Sequence, residues 1–186
     1  MQKQYIYYLV LFLLIVYLFS LPSYISYLPT IPVYPDNVED ADKTLLATRS
    51  CTDEEKAFFY LTNKSVASAF KPYVNESIQE LEDIFIPYNI VVYFFKYGIN
   101  RARPSQINPM IKPLNASTAQ TPAYPAGHAM QAQMLAIVLG KRYPNKKQLF
   151  LDIALKCDIV RVKTGLHYYS DGIFGRHIVN SLFSMY

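Results

Sequence analysis

The sequence predicts an all-α fold, a compact bundle of about five to seven helices preceded by one N-terminal transmembrane helix. Three observations predict it. Beyond residue 42, apolar residues recur at helical spacing without a clear strand alternation. Capping residues and prolines divide this region into segments of helical length. The chain has 186 residues, of which 52% are apolar, and it can therefore bury one sizeable core.

The first element is the N-terminal segment. Residues 5–21, YIYYLVLFLLIVYLFSL, carry no charge, and this length is short for a bilayer span but long for the apolar part of a signal peptide. We expect residues 1–21 to be an uncleaved membrane anchor. A cleaved signal peptide is the alternative, although no small-x-small cleavage site follows. Lys3 upstream and Asp36 and Glu39 downstream predict a single-pass topology, with the following domain lumenal or extracytoplasmic.

Two further regions follow the anchor. Residues 22–41 are rich in proline and predict an extended linker. Residues 42–186 are close to the usual size of a single domain, so we expect one domain there.

Helix signals follow one another along this domain. Thr52 and Glu55 have the spacing of a capping box, which predicts a helix that continues to about Ala69. Asn75 is a candidate cap for a second helix, which Pro87 would end. Further helices are predicted at residues 88–102, 128–143, 146–162 and 168–183.

Composition excludes several classes of function. The net charge of +4 comes from Lys and Arg spread along the chain without a basic block, which argues against a nucleic-acid-binding protein. None of the apolar runs inside the domain reaches membrane-spanning length without a charge, so a polytopic membrane protein is not expected. Cys51 and Cys157 leave open either one disulfide or two separate thiols.

Two polar stretches in the middle of the domain suggest an anion site. In FFKYGINRARP, Lys96 and Arg103 are seven residues apart and project from nearly the same helix face. Taken alone, a solvated face explains this pair better than an anion site does. In TPAYPAGHAM, a turn ending in Gly127 leads into a helix whose first N–H groups are free to bind an anion. His128 at the start of that helix is placed to exchange a proton with the bound group.

A third stretch, VRVKTGLHYYSDG, supplies Arg161, His167 and Asp171. At positions i and i+4, the Asp171 carboxylate can reach one imidazole nitrogen of His167 and leave the other free as a nucleophile. His177 points away from His167 on a continuous helix and is interpreted as a structural or surface residue. Arg101 lies off the face that carries Lys96 and is interpreted as lining the entrance at most.

Together these positions read Lys-x6-Arg-Pro, Pro-x-Gly-His and Arg-x5-His-x3-Asp. This order resembles the tripartite signature of the type 2 phosphatidic acid phosphatase and vanadium haloperoxidase superfamily, whose bacterial acid phosphatases are soluble helical proteins. The resemblance covers residues 96–171.

The resemblance implies a metal-independent phosphatase that hydrolyses phosphate monoesters, with lipid phosphates or diphosphates among the candidate substrates, through a phosphohistidine intermediate. His167 would be the nucleophile, Asp171 would orient it, and His128 would act as acid and then as base. No metal site and no cofactor are implied, although vanadate would occupy the phosphate site. The residues that would hold the phosphoryl oxygens are Lys96, Arg103, Gly127 and Arg161.

Two departures from the family pattern leave alternatives open. The family usually has Ser where this chain has Ala126 and Val160. A lost hydroxyl donor to a charged oxygen would cost about 1–3 kcal/mol. The alternatives are a vanadium-dependent haloperoxidase, which would share the pocket, and a degenerate protein that binds phospholipid head groups without catalysis. The expected partners are a phosphorylated small molecule or lipid and, through the N-terminal helix, a membrane.

Overall fold

The computed structural model describes residues 12–13, 34–116 and 118–183. The chain divides into two units, Met1–Thr30 and Ile31–Tyr186. In the first unit only Phe12 and Leu13 are described; both are helical and exposed. The predicted anchor, apart from these two residues, lies outside the described part of the chain, as does most of the predicted linker. No helix among the described residues is long and apolar enough to cross a bilayer.

The described part of the second unit is built from helices and contains no strand, which confirms the predicted all-α class. Seven α-helices have eight residues or more and two have four residues. Short 3₁₀ turns at Lys71–Tyr73, Ile86–Tyr88 and Pro144–Lys146 connect some of them. The α-helices are α1 (Asn37–Arg49), α2 (Asp53–Asn63), α3 (Ala67–Phe70), α4 (Ile78–Phe85), α5 (Asn89–Ile99), α6 (Pro104–Ile107), α7 (Gly127–Arg142), α8 (Lys147–Lys163) and α9 (Tyr169–Phe183).

The start of α2 follows the predicted capping box. The Thr52 hydroxyl accepts a hydrogen bond from the Glu55 backbone N–H at 3.2 Å, and the Glu55 carboxylate accepts one from the Thr52 N–H at 2.9 Å. The predicted end at Ala69 is wrong, because α2 ends at Asn63 and a separate turn, α3, follows.

Two other helix starts differ from the prediction. The cap of α4 is Ser77 rather than Asn75, and Ser77 forms its own capping box with Glu80. The first helix, α1, begins inside the predicted linker, because the Asp36 carboxylate accepts a hydrogen bond from the Val38 N–H at 2.8 Å and caps it. Local hydrogen bonds of this kind satisfy the free N–H groups of a first turn and decide where a helix begins.

Helix α7 lies at the centre of the core. It packs most extensively against α8 and then against α9, and nine of its sixteen residues are buried. Met130, Met134 and Leu135 of α7 meet Phe150 of α8 and Phe174 of α9 in one apolar cluster. The first turn of α7 lies where the loops before α6, α7 and α9 converge.

Cys51 and Cys157 are both free thiols in the structure. Cys157 is fully buried in the main apolar cluster, and this burial raises the pKa of its thiol to about 12. Cys157 is therefore an inert core residue at neutral pH.

Candidate active site

Residues from the three polar stretches meet at one small cavity of about 70 Å³. It lies between α5, the first turn of α7 and the loops that precede α6 and α9. Five predicted site residues line this cavity, namely Lys96, Arg103, Gly127, His128 and His167. The remaining lining residues are Asn89, Val92, Tyr93, Thr118, Thr121 and Gln131.

His167 and Asp171 form the central pair. The imidazole Nδ1 lies 2.9 Å from Asp171 Oδ2, which also accepts a hydrogen bond from the Tyr168 backbone N–H at 3.0 Å. His167 is 3% exposed and Asp171 is fully buried. The spacing of four residues therefore produces the hydrogen bond between Asp171 and His167 that the sequence predicted.

The hydrogen bond at the other imidazole nitrogen of His167 shows which tautomer the ring adopts. Nε2 of His167 lies 3.0 Å from Nη1 of Arg103. A guanidinium only donates hydrogen bonds, so Nε2 must accept this one and the imidazole proton must lie on Nδ1, where it points to Asp171. Burial, with Arg103 and Lys96 nearby, lowers the pKa of His167 well below its usual range. His167 is consequently neutral, with its lone pair on the nitrogen that faces the cavity.

Arg103 is anchored mainly by backbone oxygens. Its guanidinium donates to the carbonyls of Thr121, Leu166 and Thr118 at 2.8, 2.7 and 2.9 Å, and to the Thr121 hydroxyl at 3.2 Å. With the contact to His167, each of its N–H groups has a protein partner. A bound anion must therefore take over one of these hydrogen bonds.

Lys96 and Gly127 form the opposite wall. Nζ of Lys96 donates to the Pro122 carbonyl at 2.5 Å, and the side chain is buried. Burial, reinforced by the charge of Arg103, lowers the pKa of Lys96 to about 7. A Cβ atom on Gly127 would stand 3.2 Å from Val92 and 3.8 Å from Cε of Lys96. Glycine therefore lets the N-terminus of α7 approach Val92 of α5 closely.

His128, in the first turn of α7, is partly exposed at the cavity. Burial of its ring, together with the charges of Arg161 and His167, lowers its pKa well below the usual range. A hydrogen bond to the Asn63 backbone opposes this shift. His128 is therefore neutral when the cavity is empty at neutral pH.

Arg161 is not among the residues that line the cavity. Its guanidinium donates to the Thr62 carbonyl at 2.7 Å and to the Asn63 amide oxygen at 3.3 Å, and it lies over the Phe59 ring at 4.6 Å. Its buried Nε–H has no hydrogen-bond partner among the described residues. Arg161 thus lies outside the cavity lining, close enough for its charge to lower the pKa of His128.

Arg101 is the important residue that the sequence analysis misplaced. It does not line the entrance: its side chain is fully buried and donates to Asp171 Oδ1 at 2.7 Å and to Asp40 Oδ2 at 3.0 Å. Asn37 and Ser170 accept further hydrogen bonds from it. Arg101 follows the end of α5 at Ile99, so the predicted helix-face argument does not apply to it. Its partner Asp40 lies 61 residues away, and no local pattern indicates the pairing.

The two positions that depart from the family pattern are both buried. Val160 packs with Phe59, Ala116 and Leu166 in a small apolar cluster and does not line the cavity. Ala126 is the N-cap of α7 and provides no side-chain hydrogen bond to the helix. Its backbone N–H donates to the Asp171 carbonyl at 3.0 Å, which ties the start of α7 to α9.

His177 is exposed on α9 and stacks on Phe174, in agreement with the predicted surface position. It takes no part in the cavity.

A comparison with protein-family models gives a match. The family model described as the PAP2 superfamily matches residues 84–180, just over half of the chain, and this range includes every predicted site residue. No curated protein matches the sequence. With the three motifs of the matched region converging on one cavity, the chain belongs to the PAP2 superfamily, whose members are generally phosphatases.

Proposed function

We propose that the chain is a phosphatase that hydrolyses phosphate monoesters through a phosphohistidine formed on Nε2 of His167. The observation that carries this proposal is the orientation of the imidazole. Its Nδ1–H is held by Asp171, and its Nε2 lone pair accepts a hydrogen bond from Arg103, which lines the cavity together with Lys96 and His167. A buried nucleophile next to fixed positive charge is the arrangement that phosphoryl transfer needs.

In the first step, the phosphate of the substrate binds between Lys96, Arg103 and the N-terminal amides of α7. Nη1 of Arg103 then moves from Nε2 of His167 to a phosphoryl oxygen, which frees the lone pair. Nε2 attacks phosphorus while the bond from phosphorus to the leaving oxygen breaks. The proton on Nδ1 stays in place, because the Asp171 carboxylate stabilises the cationic ring.

His128 moves the protons in both steps. Its imidazolium donates a proton to the leaving oxygen, and the neutral ring then takes a proton from water. The water oxygen attacks phosphorus, the N–P bond breaks, and its electron pair returns to His167. His128 must enter protonated, and a bound phosphate dianion would raise its pKa from the low value of the empty cavity. We therefore expect an acidic pH optimum.

We propose that protein cations replace a metal ion in stabilising the transition state. Lys96 and Arg103 already line the cavity. Arg161 does not line it, but its buried Nε–H has no hydrogen-bond partner among the described residues, and its side chain would have to turn toward the cavity to become a third donor. A loose phosphoryl transition state spreads negative charge over its equatorial oxygens, which such donors can bind. Vanadate, which adopts the same geometry, would occupy this position and inhibit the enzyme.

The substrate class and location are proposed from the sequence. An anchor at residues 1–21 would hold the domain at a membrane, on the lumenal or extracytoplasmic side, and would favour lipid phosphates or diphosphates. Turnover of phosphatidic acid in micelles would be compared with turnover of a soluble phosphomonoester. Equal rates on the two substrates would count against a lipid preference.

The first experiment measures phosphate release from a soluble phosphomonoester by the full chain, alone, with EDTA and with vanadate. His167→Ala removes the nucleophile, and His177→Ala, an exposed histidine on the same helix, is the matched control. We expect turnover that survives EDTA, is blocked by vanadate, is lost in His167→Ala and is retained in His177→Ala.

The alternatives give different results in the same samples. Absence of turnover with saturable binding of phosphatidic acid, unchanged by His167→Ala, would identify a non-catalytic head-group binder. Peroxide-dependent halide oxidation that appears only with added vanadate would identify a haloperoxidase.

A further inference from the structure

Helix α5 and the 3₁₀ turn before it, Ile86–Tyr88, carry an unusual concentration of exposed apolar side chains. Of the sixteen large apolar residues that are exposed in the described chain, six fall between residues 86 and 97. Phe94 is 69% exposed and Ile90 is 75% exposed. We call this set the α5 face: Ile86, Tyr88, Ile90, Tyr93, Phe94 and Tyr97.

The α5 face is a continuous strip. Ile90, Tyr93, Phe94 and Tyr97 of α5 are separated by three or four residues, so they project from one side of the helix. The rings of Tyr93 and Tyr97 stack at a centroid distance of 6.2 Å. Scattered single apolar residues on a surface need no explanation, whereas a contiguous patch marks an interaction site.

The region is also free of exposed charge. Between Asp83 and Lys112 the sequence contains three charged residues, all buried: Lys96, Arg101 and Arg103. An uncharged strip of Tyr, Phe and Ile matches the composition of protein surfaces that lie in the interfacial layer of a bilayer. It offers nothing to pair with a charged protein partner.

The α5 face adjoins the mouth of the cavity. Tyr93 belongs both to the face and to the cavity lining, and Asn89 and Lys96 of the same helix line the cavity as well. A second protein copy seated on α5 would cover this rim and obstruct the approach of a substrate. A bilayer would leave phosphate-bearing head groups next to the opening.

We propose that the α5 face docks the domain onto a lipid bilayer, with the side chains of Phe94 and Ile90 in the interfacial layer and the cavity opening toward the head groups. This contact is separate from any N-terminal anchor, and it does not depend on the chain being a phosphatase. Because the face has no charge, its docking should be insensitive to salt.

The test uses tryptophan fluorescence, since the chain contains no tryptophan. Phe94→Trp places a single reporter on the α5 face. Tyr60→Trp is the matched control on α2, where the native residue is 59% exposed. Each full-length variant is reconstituted into phosphatidylcholine vesicles with and without brominated acyl chains, at low and high salt. Ile90→Trp is a second reporter in case Phe94→Trp does not fold.

We expect bromine to quench the emission of Phe94→Trp several times more strongly than that of Tyr60→Trp, with a blue shift and no dependence on salt. Equal weak quenching of the two variants would overturn the proposal. A blue-shifted emission that bromine does not quench would also overturn it, because the face would then be covered by protein, either a second copy or the N-terminal segment. Phosphate release plays no part in this readout, so a failure here is distinct from a failure of the proposed reaction.

Discussion

Lys96 and Asp171 are buried ionisable groups whose pKa values lie close to neutrality. Burial, with the charge of Arg103, lowers the pKa of Lys96 to about 7. Burial raises the pKa of Asp171 to about 6, although Arg101 opposes the shift. Lys96 therefore loses its charge as the pH rises through about 7, and Asp171 loses its charge as the pH falls through about 6.

The lowered pKa of Lys96 predicts that anion binding weakens as the pH rises above 7. Sulfate stays a dianion over this range, so its competitive inhibition reports the charge of the protein. We expect the inhibition constant to rise above pH 7, approaching about tenfold per pH unit, because binding then requires Lys96 to take up a proton. Lys96→Arg keeps the cation and should remove this dependence. Inhibition by sulfate that is constant between pH 6 and 9 in the unaltered protein would contradict the prediction.

We expect Ala126→Ser to increase both the stability and the phosphatase activity of the protein. A serine at this N-cap would accept a hydrogen bond from a first-turn N–H, which is typically worth about 0.5–2 kcal/mol of stability. If its hydroxyl also reaches the phosphate, kcat/KM should rise by roughly one to two decades. Ala129→Ser is the control, because Ala129 is equally buried but lies inside α7. Thermal unfolding and phosphate release would be measured, and equal effects of the two substitutions would refute the cap assignment.

At the level of helices, most of the basic residues of the site lie at or just beyond the ends of helices. α5 ends at Ile99 and not at the predicted residue 102, because Asn100 adopts a left-handed conformation with φ of 54°. The chain then turns toward Arg103, which is therefore not on the helix that carries Lys96. α8 ends at a turn in which Gly165 has φ of 76° and the Leu166 N–H donates to the Arg161 carbonyl at 3.0 Å. This turn places His167 in the cavity lining.

Gly165 and Gly98 give opposite predictions for the same substitution. Gly165→Ala should destabilise the protein by about 1–2 kcal/mol, because its backbone conformation disfavours a side chain. In addition, the new Cβ would stand 2.9 Å from Ile111 Cγ2 and 3.2 Å from Pro113 Cα. Gly98→Ala, in α5 with open space around it, should stabilise by up to about 1 kcal/mol. Urea unfolding measures both, and a loss of stability from Gly98→Ala equal to that from Gly165→Ala would contradict the prediction.

On the scale of the whole molecule, the nucleophile is connected to a helix outside the matched family region. α1 lies before residue 84, yet its Asp40 carboxylate binds Arg101, which in turn binds Asp171. These three buried charges place α1, the loop after α5 and α9 in one network. Asp171 is therefore oriented from the side opposite to His167, and Arg101 is a positioning residue rather than a catalytic one.

Arg101→Gln tests this network. Loss of the cation should raise the pKa of Asp171 above about 6, so the acid limb of the kcat profile should move to higher pH. Stability should fall by about 3–5 kcal/mol, since buried carboxylates lose their partner. A purely structural role would lower stability without moving the acid limb.

Asp40→Asn, alone and combined with Arg101→Gln, completes a double-mutant cycle. The double variant should be more stable than Arg101→Gln alone, because one of the two orphaned carboxylates is then neutral. Urea unfolding at a fixed pH measures the coupling, which should be about 0.5–3 kcal/mol for groups in direct contact. Additive effects would show that Asp40 and Arg101 act independently.

The sequence by itself determined the helical class and the basic residues that line the cavity. Apolar periodicity and capping residues are local signals, and they placed α7, α8 and α9 to within about one residue. The pairing of His167 with Asp171 is equally local, because one helical turn separates the two residues. The motifs also identified Lys96 and Arg103 as cations of one site.

Only the tertiary structure decided the contacts between distant parts of the chain. It paired Arg101 with Asp40, turned Arg161 toward Thr62, and buried Val160 in an apolar cluster. It also left the apolar side of α5 exposed next to the cavity. The physical reason is that helix periodicity depends on neighbours three or four residues away, whereas the partner of a buried charge depends on which helices pack together.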